Sequence, residues 1–213
     1  MSTLQVIISM LIGISATLCI IGKYMNNQIL VYIFKPLTTL LIIILACLGG
    51  IKNNINYQYL VYLGLIFSLF GDIFLMLPKK FIQGLISFLI AHIFFLFFFI
   101  NQAISVNWWL IGVFVIIGTS IYLFLLPHLN KMKIPVLIYL IVIFSMAWRG
   151  WEVLLTNQNK SGAIFALASI LFIFSDTNIA FNKFRKSYIS AEFFILSTYY
   201  ISIWLIALSL NYI

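Results

Sequence analysis

The sequence predicts an all-α fold: a polytopic membrane protein, one integral membrane domain over residues 1–213, built as a single bundle of eight transmembrane helices. Three observations predict it. The chain is 64% hydrophobic and only 8% charged, whereas soluble domains carry about 25% charged residues. Its apolar runs reach about twenty residues, the length that spans a bilayer. The runs do not alternate apolar and polar residues, as the strands of a membrane barrel would. No linker, charge block, low-complexity tail or clear internal repeat marks a second domain.

The helices follow from the punctuation between the runs. Helix 1 is expected over Leu4 to Gly22, retained because the N-terminus lacks the basic start of a signal peptide. A polar turn, Lys23 to Gln28, leads to helix 2 over Ile29 to Leu48, which contains Lys35-Pro36 and is expected to end at Gly49-Gly50 and Lys52-Asn53-Asn54. Helix 3 covers Tyr57 to Leu77 and stops at Pro78-Lys79-Lys80. Helix 4 is Phe81 to Ile100. After a neutral loop, Asn101 to Asn107, helix 5 runs from Trp108 to Leu126 and closes at Pro127-His128. Helix 6 covers Ile134 to Trp151, and a polar loop over Thr156 to Ser161 follows. Helices 7 and 8 are Gly162 to Phe181 and Tyr188 to Leu210. Cys19 and Cys47 lie inside apolar runs without a CxxC spacing and read as small core residues.

The net charge of +8 is a matter of topology and not of nucleic-acid binding. Lys23, Lys79, Lys80, Lys131, Lys133, Lys183, Arg185 and Lys186 fall in alternate loops, and the opposite loops hold Lys52 and Lys160, with Arg149 near a helix end. The positive-inside rule puts the richer loops in the cytoplasm and both termini outside. An odd number of spans would break the alternation. Trp108, Trp109, Trp148 and Trp151 are expected at the outer interface.

The chemistry points to the acids. The chain has four, and Asp72 and Asp176 sit deep in apolar runs, each behind a small residue. Carboxylates at membrane depth are costly, and they are paired and functional as a rule. At a rise of about 1.5 Å per residue, Asp72, Asp176, Lys35, Tyr139 and Glu192 all fall roughly 9–10 Å inside the basic edge, and His92 about 18 Å in. Facing inward, the first five form one polar layer in a pocket open toward the cytoplasmic leaflet. Blander readings compete. Each aspartate could be a structural acceptor, Lys35 could reach the headgroups along its stem, His92 could be an interior histidine, and Glu192 could be solvated at the interface. Tyr199 and Tyr200 could be core aromatics. Pro36 beside Lys35 predicts a kink and freed carbonyls. No HxxxH or cysteine cluster suggests a metal, and no cofactor is expected.

These residues resemble the lysoplasmalogenase-like YhhN family of polytopic membrane proteins over nearly the whole chain. Lys35-Pro36-Leu37-Thr38-Thr39 is similar to its early K-P motif, and Gly64 to Asp72 to its G-L-x-F-S-x-x-G-D motif. Ser87 to His92 resembles its F-x-x-A-H segment. Gly162-Ala163 with Ser175-Asp176 and Ile179-Ala180 resembles its G-A…S-D-x-x-L-A motif, and Tyr199-Tyr200 its last Y-Y pair. Ile203 stands where the family commonly has Gln, and Glu192 is not a family feature. The resemblance implies an ether-bond hydrolase of a bacterial inner membrane, acting on lysoplasmalogens, lysophospholipids with a vinyl ether. It further implies Asp72 and Asp176 as the catalytic pair. Lys35, His92, Tyr139, Tyr199 and Tyr200 are the expected substrate-binding residues, and the basic loops could hold the lipid phosphate. Two close carboxyls tend to share one proton, so one aspartate is expected as acid and the other as base.

Two other readings fit paired membrane acids. A proton-coupled lipid or small-solute transporter could use the aspartates with Lys35 as a relay. An intramembrane aspartyl protease also uses two aspartates, but Leu69 stands where its motif has a first glycine. The topology carries its own test. A cysteine replacing Lys80 should be labelled only from the cytoplasmic face of intact cells, and labelling from outside would invert the arrangement.

Overall fold

The computed structural model describes residues 1–53, 57–103 and 105–212. Among them are eight α-helices, all long and apolar enough to cross a bilayer, and no strand. They are α1 (Thr3–Tyr24), α2 (Gln28–Asn53), α3 (Gln58–Met76), α4 (Phe81–Gln102), α5 (Trp108–Leu125), α6 (Lys133–Asn157), α7 (Lys160–Phe184) and α8 (Ala191–Ser209), with two short 3₁₀ turns between α5 and α6. Asn54, expected to help end helix 2, and Ile104, in the expected α4–α5 loop, lie outside the described residues.

Several ends differ from expectation, each for a local reason. α2 continues past Gly49. No described glycine adopts a positive φ, so Gly49 does not act as a stop. A Cβ there would lie 3.3 Å from the Leu210 Cβ, so it lets the end of α8 approach. α6 runs on through Asn157, and the expected polar loop shrinks to Gln158 and Asn159. Gln158 is left-handed (φ 47°), and the Asn159 side chain accepts from the Gly162 amide at 2.9 Å. That is an ordinary helix stop followed by an N-cap. α8 starts at Ala191, later than expected.

Helix neighbours close into a ring in the order α2, α3, α4, α6, α7, α8 and back to α2. α1 lies outside against α2 and α8, and α5 outside against α6. The two outer helices expose most of their apolar side chains, among them Met10 and Ile14 on α1 and Val115 and Ile116 on α5. Such surfaces suit lipid, where the backbone must be satisfied within each helix. Trp108 and Trp109 are exposed at the start of α5, as an interfacial belt requires, whereas Trp148 and Trp151 pack partly against the core.

The ring is filled by aromatic residues. Phe95, Phe98, Phe99, Phe165 and Phe172 are fully buried. α3 approaches α4 closely because small residues meet rings. A Cβ on Gly64 would come within 2.4 Å of the Phe95 ring, and one on Gly71 within 2.7 Å of the Phe88 ring. Close packing through small residues drives helix association where no hydrophobic effect operates. Gly64→Ala should therefore destabilise the bundle by about 1–3 kcal/mol through overpacking, read as a lower melting temperature in detergent. Gly112→Ala on α5, with nothing within 4 Å of the new methyl, should leave it unchanged or slightly raised.

Candidate active site

The polar residues of the ring interior come from all six of its helices. Asp72 projects from α3 and has no exposed surface. Its Oδ2 accepts hydrogen bonds from Thr39 Oγ1 at 2.6 Å and from the Tyr199 hydroxyl at 2.9 Å. Its Oδ1 lies 3.4 Å from Lys35 Nζ. Lys35 and Thr39 are four residues apart on α2 and so share one face. Two hydroxyl donors and one cation thus converge from α2 and α8 on a carboxylate that lipid could not solvate. Lys35 is itself buried and does not reach the headgroups. Breaking such a pair by removing one partner costs about 3–5 kcal/mol, because the other charge is stranded.

Asp176, on α7, has a different set of neighbours. Its Oδ2 accepts from the Tyr139 hydroxyl of α6 at 2.5 Å and lies 3.6 Å from His92 Nε2 of α4. The His92 Nδ1 is 2.7 Å from the Phe88 carbonyl. A carbonyl only accepts, so Nδ1 carries a hydrogen, and in the neutral ring Nε2 would present its lone pair to Asp176. Nε2 is buried and has no hydrogen-bond partner.

The expected single layer therefore resolves into two clusters. Phe172 separates them, its ring 4.7 Å from that of His92 and 6.0 Å from that of Tyr199. Phe88 packs edge-on against Tyr199 at 5.5 Å. No hydrogen bond or ion pair joins the two aspartates among the described residues. His92 sits beside Asp176 although residue counting put it deeper. Helical side chains lean toward the N-terminus. α4 and α7 run in opposite directions, so His92 leans toward the basic end and Asp176 away from it, and the two meet. Glu192 leaves the layer. It pairs with Lys23 at 3.5 Å, with both side chains about a third exposed. The Tyr200 hydroxyl lies 3.5 Å from the Lys35 carbonyl and 3.7 Å from Cys19 Sγ, behind Lys35 and away from both carboxylates.

Only one of the two aspartates faces open space. A narrow apolar cleft lies between α4, α6 and α7 toward the basic end, and Asp176 and Tyr139 are among its lining residues. The Asp176 side chain keeps 12% of its surface exposed, against 1% for Asp72. Phe81 and Phe184 are also in its wall, and Lys183 Nζ stands 5.0 Å over the Phe81 ring. The described residues contain no group of three or more metal-ligating side chains.

Two partners were not anticipated. Thr39 was signalled by its spacing from Lys35. Glu152 of α6 is fully buried near the opposite end, where its Oε1 accepts from the Asn107 amide at 2.7 Å and from Asn107 Nδ2 at 2.6 Å. Arg149, three residues earlier, donates to the carbonyls of Ala103 and Ser105. Together they clamp the α4–α5 connection onto α6. Glu152→Ala should speed hydrogen exchange at the Asn107 amide about tenfold or more, as expected for losing a hydrogen bond to a charged group.

The YhhN family matches residues 30–210 of the chain. A protein named uncharacterized membrane protein YhhN from Escherichia coli O157:H7 is 28% identical over 163 residues, 75% of this chain and 77% of that protein. Lysoplasmalogenase TMEM86B of Rattus norvegicus is 30% identical over 155 residues, covering 72% of this chain and 62% of its own. Lysoplasmalogenase TMEM86A of Homo sapiens is 32% identical over 155 residues, 70% and 64% of the two chains. The chain thus spans just under two thirds of these mammalian relatives. No solved structure matches it.

Proposed function

The chain belongs to the YhhN family, and from that premise we propose that it is a lysoplasmalogenase-type membrane hydrolase. It would cleave the vinyl ether of a lysophospholipid to a fatty aldehyde and a glycerophospho-alcohol. The observation that carries the reading is Asp176 in the wall of an apolar cleft that opens at the basic end. A lysolipid standing in that cleft would place its phosphate near Lys183, its sn-1 linkage a few ångströms deeper, and its chain among Leu140, Ile143 and Phe144.

The chemistry suits a carboxylic acid. Protonating the alkene carbon distal to oxygen makes an oxocarbenium ion. Water adds to it, and the hemiacetal collapses to aldehyde and alcohol. General acid catalysis of this kind contributes about 10²–10⁴-fold. Asp176 is the acid in this reading, and Asp72 is the second buried carboxylate of the ring interior. Lys35, Tyr139, Tyr199 and His92 hold the two carboxylates in place, and the Tyr200 hydroxyl supports the α2 backbone at Lys35. The active site opens toward the cytoplasmic leaflet of a bacterial inner membrane if the basic loops are cytoplasmic.

Purified protein should release aldehyde from an alkenyl lysophospholipid and leave the alkyl and acyl counterparts intact. A general acid has little purchase on a saturated ether, and the cleft holds no activated nucleophile for an ester. In heavy water, rapidly trapped aldehyde should carry one deuterium on the carbon next to the carbonyl. Equal cleavage of all three lipids, or aldehyde without deuterium, would overturn the mechanism. No cleavage, with proton-coupled lipid uptake into vesicles, would favour a transporter.

A further inference from the structure

We propose that one proton-handling unit, Asp176 with His92, serves the whole reaction, and that Asp72 is a positioning residue and not the second half of an acid–base pair. The proposal rests on the hydrolase reading for its substrate, but its central claim concerns which carboxyl carries a proton.

Asp72 is built to stay a carboxylate. Thr39 and Tyr199 donate to Oδ2, Lys35 stands at Oδ1, and the side chain is buried. In this proposal it stays ionised and acts through the groups it holds. Asp176 differs on each count. Among the described residues it has no lysine or arginine partner, it lines the cleft, and its Oδ2 faces His92 Nε2. In the proposal the proton sits on the Asp176 carboxyl, which faces His92 Nε2 across 3.6 Å. His92 is 1% exposed and touches no cleft, so it acts only through Asp176.

One such unit closes the proton balance. Asp176 gives its proton to the alkene carbon, whose π electrons form the new C–H bond and leave an oxocarbenium ion. The resulting carboxylate takes a proton from the attacking water as its oxygen bonds to the cationic carbon. A proton then passes to the ether oxygen, the C–O bond breaks with its electrons leaving on the glycerol oxygen, and the hemiacetal hydroxyl gives up its proton as the aldehyde forms. The sum is vinyl ether plus water to aldehyde plus alcohol.

Asp72 reaches this unit through packing. It fixes the Tyr199 hydroxyl, and the Tyr199 ring packs on Phe88 and Phe172. Phe88 supplies the carbonyl that sets the His92 tautomer, and Phe172 lies against its ring. Gly71, beside Asp72, leaves the space that the Phe88 ring occupies.

Two measurements separate the roles. The first needs no substrate. The infrared spectrum of the detergent-solubilised protein at neutral pH should contain a protonated-carboxyl stretch that Asp176→Asn removes, His92→Asn shifts and Asp72→Asn keeps. Loss of the band in Asp72→Asn, and not in Asp176→Asn, would overturn the assignment. The second is turnover of an alkenyl lysophospholipid, with folding checked by thermal melting. Asp176→Asn should lose about a hundredfold or more. Lys35→Met with Asp72→Asn removes both charges together and should stay within about tenfold of wild type, whereas Asp72→Asn alone, which strands Lys35, should do worse. A double variant as inactive as Asp176→Asn would make Asp72 a direct participant. His92→Asn keeps a donor for the Phe88 carbonyl and should lower kcat with KM unchanged. His92→Gln, which keeps a polar atom facing Asp176, should recover part of it. Full activity in His92→Asn would make the histidine structural. Wild-type protein without aldehyde release, yet with the predicted band changes, would sink the substrate reading and leave the proton assignment standing.

Discussion

A carboxylate inside a lipid-embedded bundle has to be met by donors from neighbouring helices, because nothing else there can solvate it. Asp72 is met from α2 by Lys35 and Thr39 and from α8 by Tyr199. Those contacts join three consecutive members of the helix ring. The rest of the interior is arranged around the consequence. With the Tyr199 hydroxyl held, its ring becomes a wall for Phe88 and Phe172, and these two rings hold His92 at the second carboxylate. A buried pair of this kind gives little net stability against an apolar replacement. What it supplies is a set of contacts that ties α2, α3 and α8 together at one level.

The two aspartates show how similar local sequences acquire different chemistry. Both follow a small residue in an apolar helix, Gly71 and Ser175. Gly71 admits the Phe88 ring, and α3 is drawn close to α4. Ser175 donates to the Ile195 carbonyl of α8, which fixes the opposite face of α7 and leaves Asp176 turned toward α4 and α6. One carboxylate is sealed among donors. The other faces an apolar cleft with a tyrosine and a histidine at its back.

The eight spans were legible because apolar length and loop charge are one-dimensional signals. Their ends were less so. Gly49 reads as a stop in sequence but serves a tertiary approach by α8, and Glu152 extends α6 by satisfying a loop thirty residues or more away in the chain. Residue counting also put Asp72 level with Lys35 and Asp176 level with Tyr139, and each of these pairs is in contact. Counting says nothing of rotation about a helix axis or of the way a side chain leans. It therefore merged two clusters into one layer, kept Glu192 in the layer when its partner is Lys23, and set His92 apart from the carboxylate it faces. Thr39 was within reach of the pattern, one helical turn beyond Lys35.

The division between a sealed carboxylate and an exposed one also bears on how the site can work within a membrane. A reaction that shuttled a proton between the two acids would need a hydrated path through the ring, and Phe88 and Phe172 stand between the two clusters. Aromatic rings exclude the waters that such a path requires. Handling the proton at Asp176 alone removes that requirement. The ring interior can then stay dry and closely packed, the apolar cleft can admit a hydrocarbon chain, and water need enter only at the cleft mouth, where Lys183 lies over Phe81. On the proposed mechanism, the packing that buries Asp72 is the same packing that would let the one carboxyl at the cleft operate beside lipid.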